Sequence, residues 1–389
     1  MNVPKLRFKE FTDEWKQTPL KNIIYSNIIE APKPTTDYIR LGIRSHCKGT
    51  FHELVKIENI LSADKMYIVP KNNLILNITF AWEQAIAITD DNDEGKYISN
   101  RFPTFAFKDN QLPTFYKYII PQKRLKYDLN VASPGGAGRN RVLNKKLFLS
   151  IPVNIPLLKE QEKIAKFLTT VDKKITNLEN IITSLENQKK GLLQQIFSQK
   201  LRFKDKNGNN YPNWEKKKLE DISNITMGQS PDSDFVNTEK IGTPFLQGNA
   251  EFTNKYPIEK YWCTKPQKIA NPTDILLSVR APVGAINIAN KKFCIGRGLS
   301  AISFNCNKLF GKYNLEFNLF QLIKKSQGST FSSINKKDIS EVILFIPCLE
   351  EQTKIADFFS AFDRKLENQK AQLEHWKQIK KGLLQQMFV

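Results

Sequence analysis

The sequence predicts an α+β chain in which two α/β segments are separated by two long antiparallel coiled-coil helices, the halves forming a pseudo-two-fold circular repeat. Three observations carry this. First, two blocks recur in phase. Residues 155–165 read Ile-Pro-Leu-Leu-Lys-Glu-Gln-Glu-Lys-Ile-Ala, and residues 346–356, which lie 191 positions on, read Ile-Pro-Cys-Leu-Glu-Glu-Gln-Thr-Lys-Ile-Ala. At the same offset Lys189-Lys190-Gly191-Leu192-Leu193-Gln194-Gln195-Ile196-Phe197 returns as Lys380-Lys381-Gly382-Leu383-Leu384-Gln385-Gln386-Met387-Phe388. A fixed internal period is the signature of a repeated structural unit. Second, Ile164, Leu168, Val171, Ile175, Leu178, Ile182, Leu185, Lys189, Leu192 and Ile196 fall at alternating steps of four and three, a heptad seam. Third, the pieces follow one another in a ring. The first copy runs from Phe197 through Ser198-Gln199 into Lys200-Leu201-Arg202-Phe203, whereas the continuation of the second copy, Lys5-Leu6-Arg7-Phe8, stands at the start of the chain.

Each element follows from local chemistry. Trp15 and Leu20 after the first KLRF block match Trp214 and Leu219 after the second. Between these blocks and the helices lie the variable segments, roughly 15–150 and 215–345. They carry short apolar and β-branched runs bounded by Gly, Pro and Asn, which read as strands. Asn73-Leu74-Ile75-Leu76-Asn77 leads to Ala85-Ile86-Ala87-Ile88, and Asp274-Ile275-Leu276-Leu277-Ser278 leads to Ala285-Ile286-Asn287-Ile288. The scaffold is thus shared while the surface residues differ. Pro156 and Pro347 precede the two long helices, where a missing N–H costs nothing. Glu160, Glu162, Glu350 and Glu351 suit the positive N-terminal ends, and Lys189, Lys190 and Lys200 the negative C-terminal end of the first helix. The second seam runs Ile355, Phe359, Phe362, Leu366, Gln369, Leu373, Trp376, Lys380, Leu383 and Met387. Lys189 and Lys380 interrupt the seams at equivalent places. A solvated stem, a register-setting contact and a contact with a partner subunit all remain open from sequence.

Composition bounds the function. With 59 Lys+Arg against 39 Asp+Glu the formal charge is +20, which calls for a polyanionic partner, nucleic acid first. A charged fraction of 25% and an apolar fraction of 40% fit a folded chain. No window approaches eighteen uninterrupted apolar residues, so no membrane partner or span is expected, and Met1–Phe8 has no apolar signal core. Cys47, Cys263, Cys294, Cys306 and Cys348 lie far apart without CxxC spacing, which excludes a zinc ribbon or a disulfide framework and fits a reducing cytoplasm. His46, His52 and His375 form no metal spacing. No GxxxxGK[ST] phosphate loop occurs. The Asn/Asp-Pro-Pro-aromatic motif of amino-methyl transfer is absent as well; Asn271-Pro272-Thr273-Asp274 lacks its second proline and aromatic residue.

The candidate contacts to nucleic acid are arginines and small polar residues at glycine-rich loops. One such loop is Ser133-Pro134-Gly135-Gly136-Ala137-Gly138-Arg139-Asn140-Arg141, and its counterpart is Ser326-Gln327-Gly328-Ser329-Thr330-Phe331-Ser332-Ser333. Glycines let a backbone approach phosphate closely, and Arg, Asn and Ser read phosphates and base edges. From these loops Arg139, Asn140, Arg141 and Ser332 are the candidates. Arg297, flanked by Gly296 and Gly298, is another, with Arg101 at the comparable place in the first segment. Arg44 and Arg280 complete the set as possible readers of guanine. Taken alone, each of these arginines reads more readily as a generic surface charge than as a base reader, and each loop also reads as a plain flexible connector. Two other classes of protein fit the same features: a methyltransferase with a degenerate motif, which would bind a methyl donor unaided, and a coiled-coil protein that binds nucleic acid through charge alone, whose binding would fall with salt irrespective of sequence.

Taken together, the chain resembles the specificity subunit of a type I restriction–modification system. The resemblance rests on the KLRF…Trp…Leu blocks at Lys5 and Lys200, the IP-x-L-x-EQ-x-KIA helix starts at Ile155 and Ile346, the KKGLLQQ-x-F ends and the Gly296-Arg297-Gly298-Leu299-Ser300 stretch, and it covers essentially the whole chain. Asn100-Arg101-Phe102 departs from the last of these. The resemblance implies a target-recognition domain at 1–154, a helical region at 155–199, a second target-recognition domain at 200–345 and a second helical region at 346–389. It implies a non-catalytic subunit that binds a bipartite double-stranded DNA target, one half per domain. The helices would act as a spacer. Two modification subunits would methylate adenine with S-adenosylmethionine, and restriction subunits would use ATP. Those cofactors belong to the partners, and none is expected on this chain.

Overall fold

The computed structural model describes residues 3–59, 65–136, 141–253, 255–327 and 333–388. The chain divides into two compact units, Met1–Leu178 with Gln372–Val389, and Glu179–Ala371. The long helices Leu158–Phe197 and Leu349–Gln386 each contribute to both. The end of the second helix therefore belongs to the unit built from the beginning of the chain.

Each unit contains the same antiparallel four-stranded sheet. In the first its order is Ile24–Ser26, Thr104–Phe107, Leu74–Leu76, Ile86–Ile88; in the second it is Ser223–Met227, Leu299–Phe304, Ile275–Ser278, Ile286–Ile288. The central strands are buried on both faces, and this explains their unbroken apolar runs. Successive side chains point to opposite faces. Leu74 and Leu76 accordingly join a core with the helices, while Ile75 joins one with Leu41, Ile43 and Ile98 beneath a second sheet. In the other unit Ile275 and Leu277 take the helical side, and Leu276 packs with Leu246, Ile295 and Leu299.

The second sheet has five strands in both units. In the first its order is Ile29–Ala31, Met66–Ile68, Tyr97–Ile98, Tyr38–Ile43, Thr50–Val55. In the second it is Val236–Asn237, Tyr261–Cys263, Thr243–Leu246, Phe293–Ile295, Ile269–Ala270. Both contain one parallel pair, Tyr38–Ile43 with Tyr97–Ile98 and Thr243–Leu246 with Phe293–Ile295. Read from that pair outward, four strands correspond, and the fifth is added at opposite edges: Ile29–Ala31 beside Met66–Ile68 in one unit, Val236–Asn237 beside Tyr261–Cys263 in the other. The divergence of the variable segments thus includes a change of sheet edge.

The repeated motifs are the frame. Arg7 donates from Nε and a terminal nitrogen to the two Glu160 carboxylate oxygens at 2.8 and 2.7 Å, and the Trp15 indole donates to the same carboxylate. Arg202 grips Glu351 in the same fork at 3.2 and 2.7 Å, with the Trp214 indole at 3.0 Å. Glu160 and Glu351 therefore serve as buried anchors for the KLRF arginines as well as first-turn acids. In each case the carboxylate raises the arginine pKa, chiefly through this hydrogen bond. The neighbouring glutamines are equally duplicated. Gln161 donates to Pro156 O and accepts from Leu112 N; Gln352 donates to Pro347 O and accepts from Asn307 N. Each helix start is thereby tied to the α/β segment before it.

Circularity is visible in hydrogen bonds. Leu201 N donates to Gln195 O at 3.0 Å, continuing the chain past the first helix, and Leu6 N donates to Gln386 O at 2.9 Å although no covalent link joins them there. Phe197 packs edge-on against Trp214, and Phe388 against Trp15, with ring centroids 6.1 and 6.0 Å apart.

The helices pair antiparallel. Lys380 Nζ meets Asp172 in the first unit and Lys189 Nζ meets Asp363 in the second, both at 2.6 Å. The Tyr118 and Tyr313 hydroxyls donate to the same two aspartates at 2.9 and 2.8 Å. Burial, with the adjacent carboxylate, pushes both phenol pKa values up, so both hydroxyls keep their donated proton. The seam lysines are thus register contacts between helices. Among the described residues no helix is long and apolar enough to cross a membrane.

Candidate nucleic-acid interface

In the second unit four strand ends converge. Ser223–Met227 runs out into Gly228-Gln229-Ser230, Thr243–Leu246 into Gln247, and Ile275–Ser278 into Val279-Arg280; Phe293–Ile295 turns through Gly296-Arg297-Gly298 into Leu299–Phe304. Backbone bonds draw them together: Gly228 N to Leu299 O, Gln229 N to Ile295 O, Gly296 N to Leu246 O and Gly298 N to Gln247 O, all at 2.8–3.2 Å. Only glycine fits at two of these places. A Cβ on Gly228 would lie 2.1 Å from Gly296 O, and one on Gly298 2.6 Å from Gln247 O. The turn is therefore fixed by close backbone approach.

That turn orients the predicted arginines. The strand register pairs Ser278 with Leu299, and Val279 N continues it by donating to Gly298 O at 2.9 Å, so Arg280 comes opposite Arg297. Ser333, next to the predicted Ser332, forms a bridge with Arg280. Both guanidiniums are exposed, and among the described residues neither has an ion-pair partner. Four other arginines are paired with carboxylates: Arg7 and Arg202 hold the frame, Arg40 pairs with Glu53 and Arg124 with Asp128.

The first unit repeats the topology with other residues. Ile78 N donates to Arg101 O as Val279 N does to Gly298 O; Phe102 N donates to Ser99 O as Leu299 N does to Gly296 O; Leu143 N donates to Ile78 O as Ile334 N does to Val279 O. By these bonds Arg101 corresponds to Gly298, and Asn100 to Arg297. The comparison of Arg101 with Arg297 made from sequence is thus shifted by one residue, because Ser99 occupies the place of Gly296. Arg101 is exposed. It lies in the turn that follows the strand Tyr97–Ile98, and Arg44 directly follows the parallel partner strand Tyr38–Ile43. The Arg44 guanidinium donates to Thr50 O and stacks 5.0 Å over the Phe51 ring, which holds it at the surface.

Arg141 is engaged inside the fold. It donates to Ser133 O and Asn130 O at 3.0 and 2.9 Å and lies 5.0 Å over Trp82. Its guanidinium satisfies carbonyls at the end of the helix Lys123–Val131, a role invisible from loop composition. Arg139, Asn140 and Ser332 lie outside the described residues. The structure sets Arg280 opposite Arg297, and places Arg44 and Arg101 just past the ends of two paired parallel strands. Sequence reasoning passed over Gln247 and Ser230, which carry no motif; the Gly296–Gly298 turn was the signal that something packs closely there. Among the described residues no group of three or more His, Cys, Asp and Glu side chains is placed to hold a metal ion.

Comparison with known proteins places this geometry. The type I restriction modification DNA specificity domain matches twice, over residues 17–187 and 211–375. A type I restriction enzyme MjaX specificity subunit of Methanocaldococcus jannaschii is 37% identical over 98% of this chain and 95% of its own length. The MjaVIII specificity subunit of the same organism is 23% identical over 91% of this chain and 84% of its own length. Among solved structures, the type I restriction–modification system S subunit from M. genitalium has the same fold at a TM-score of 0.64 and 14% identity, covering 100% of this chain and 99% of that one. A chain from a structural study of type I restriction–modification complex assembly gives 0.59 at 24% identity, covering 95% and 96%. With the family domain present in both halves and a specificity subunit matched end to end, the chain belongs to the type I restriction–modification DNA specificity subunits.

Proposed function

We propose that this subunit reads a bipartite double-stranded DNA target, one half through residues 1–154 and the other through residues 200–345, and that the regions 155–199 and 346–389 set the spacing between the halves. The contact face in each unit is the cluster of strand ends around the parallel pair. Arg280 and Arg297 carry it in the second unit, Arg44 and Arg101 in the first. The observation that supports this most is the facing pair Arg280–Arg297 on a glycine-locked turn, exposed and, among the described residues, without a carboxylate partner. Guanidiniums held so are free for phosphate or guanine, and they sit on a chain of net charge +20. Arg139, Asn140 and Ser332, outside the described residues, are kept as contacts on sequence grounds alone; Arg141 bonds the carbonyls of Ser133 and Asn130.

The partners in this reading are the DNA, two modification subunits, one for each frame copy, and restriction subunits. Target adenines are methylated by the modification subunits. The test is exchange of residues 215–345 for the corresponding segment of another specificity subunit, followed by mapping of methylated adenines in cells that carry the assembled system. One half of the motif is expected to change. A change in both halves overturns the assignment.

A further inference from the structure

Resting on that reading of the face, we propose that Gln247 is a base-reading residue of the second unit. It takes the Hoogsteen edge of an adenine beside a guanine held by Arg297 or Arg280, and Ser230 positions it. Nothing in the sequence marks Gln247. The geometry does. The residue follows the parallel strand Thr243–Leu246, exposed, on the platform that Gly228, Gly296 and Gly298 make possible. A Cβ on Gly296 would come within 2.6 Å of Gln247 Oε1, so the glycine leaves room for the amide to lie across the turn.

One hydroxyl links the parts. Ser230 Oγ lies 2.9 Å from Gln247 Nε2 and 3.1 Å from Oε1, and it accepts from Arg297 N at 3.2 Å. The glutamine amide and the arginine turn are thereby held against each other, and Arg280 faces Arg297 from the next strand. The chemistry selects the bases. A carboxamide offers one donor and one acceptor, the complement of adenine N7 and N6; a guanidinium offers two donors, the complement of guanine O6 and N7. The first unit lacks this trio. Extending its parallel register puts Gly42 where Gln247 stands, with the Phe51 ring over it, and the matching bonds put Asn100 in the place of Arg297 and Thr79 in that of Arg280. The adenine–guanine reading proposed here therefore applies to the half-site of the second unit alone.

The experiment uses the full chain assembled with its modification subunits. Methylated adenines are mapped in cells, and binding to motif and single-base variant duplexes is measured by competition at one fixed salt concentration. Gln247→Ala is expected to relax one position of one half of the motif, with discrimination there reduced roughly 5- to 150-fold, the range for losing a bidentate base contact. Ser230→Ala is expected to lower discrimination at that same position, and Ser230→Thr, which keeps the hydroxyl, to restore it. Arg280→Ala and Arg297→Ala report on the face itself. If they weaken binding while Gln247→Ala leaves every position of the motif intact, the assignment of Gln247 is wrong and the face stands. If Gln247→Ala weakens binding equally for all duplexes, the residue contacts the backbone and the proposal fails. If none of the three alters binding, the face is wrong as well. Gln247, Arg280 and Arg297 are all exposed, so unchanged thermal unfolding verifies that each variant folds.

Discussion

Replacing Glu351 by Ala tests the duplicated frame most directly. The carboxylate is fully buried and holds the Arg202 fork and the Trp214 indole at once. Without it the guanidinium, itself 20% exposed, keeps Tyr211 O, Pro212 O and the face of the Trp214 ring, none of them a counter-charge. Removing one partner of a buried ion pair costs about 3–5 kcal/mol, because the other charge remains desolvated. The indole N–H that loses its acceptor belongs to the same cluster, so its loss is contained in that figure rather than added. For a unit of this size 1 kcal/mol moves Tm by roughly 2–4 °C, so the second unit should melt about 6–20 °C lower. Scanning calorimetry with near-ultraviolet dichroism of the tryptophans follows the transition. Glu160→Ala should do the same to the first unit. Combining Glu351→Leu with Arg202→Met should recover most of the loss, since an apolar replacement of both partners is often neutral. A Glu351→Ala variant within about 0.5 kcal/mol of the parent, or a double variant as damaged as the single one, refutes this account of the repeat.

Three further outcomes follow. Ending the chain at Gly382 removes Leu383, Leu384, Met387 and Phe388 from the core of the first unit; at about 2–5 kcal/mol for each deeply buried large side chain, limited proteolysis should open that unit and spare the second. Inserting four residues near Asn180 should lengthen one long helix by about 6 Å, which is nearly two base pairs of duplex, and shift the heptad seam by half a repeat; methylation mapping should return the same half-sites with a longer spacer and lower activity, whereas an active variant with the original spacer removes the helices as a ruler. Burial pushes the Cys47 thiol up to about 11, so its thiolate is scarce at neutral pH; alkylation monitored by peptide mass spectrometry should be slow at pH 7.5 and rise about tenfold per pH unit towards pH 10, and fast labelling at neutral pH contradicts the placement.

The frame was legible in the sequence because its residues recur verbatim and in phase. Repetition showed that KLRF, the Glu-Gln pair and the terminal Phe matter without showing how. The fork between Arg202 and Glu351 joins residues 149 apart in sequence, and no periodicity reports a contact of that range. Glu160 and Glu351 looked sufficient as first-turn acids, so the buried pairing went unforeseen. The seam lysines were visible as interruptions, and their aspartates were hidden off the seam. The face was only half legible. Arginine next to glycine marks a turn, but the correspondence of Arg101 with Arg297 slipped by one residue because turn geometry, set by Ser99 in place of Gly296, is decided by backbone bonds. Arg141 and Gln247 show what loop composition hides: one guanidinium is bonded to carbonyls at a helix end, one amide to a serine 17 residues away.

The two sockets that receive Phe197 and Phe388 are chemically alike, yet only the first is reached through a covalent connection. The other is filled by a tethered end competing with the same end of any neighbouring molecule. A tether that spans the distance supplies an effective concentration in the millimolar range, far above that of the free protein in solution, so each molecule fills its own socket. The margin is kinetic as well as thermodynamic: during synthesis the Trp15 socket must wait for the last helix. Crowded, newly made chains are therefore exposed to exchange of that helix between copies.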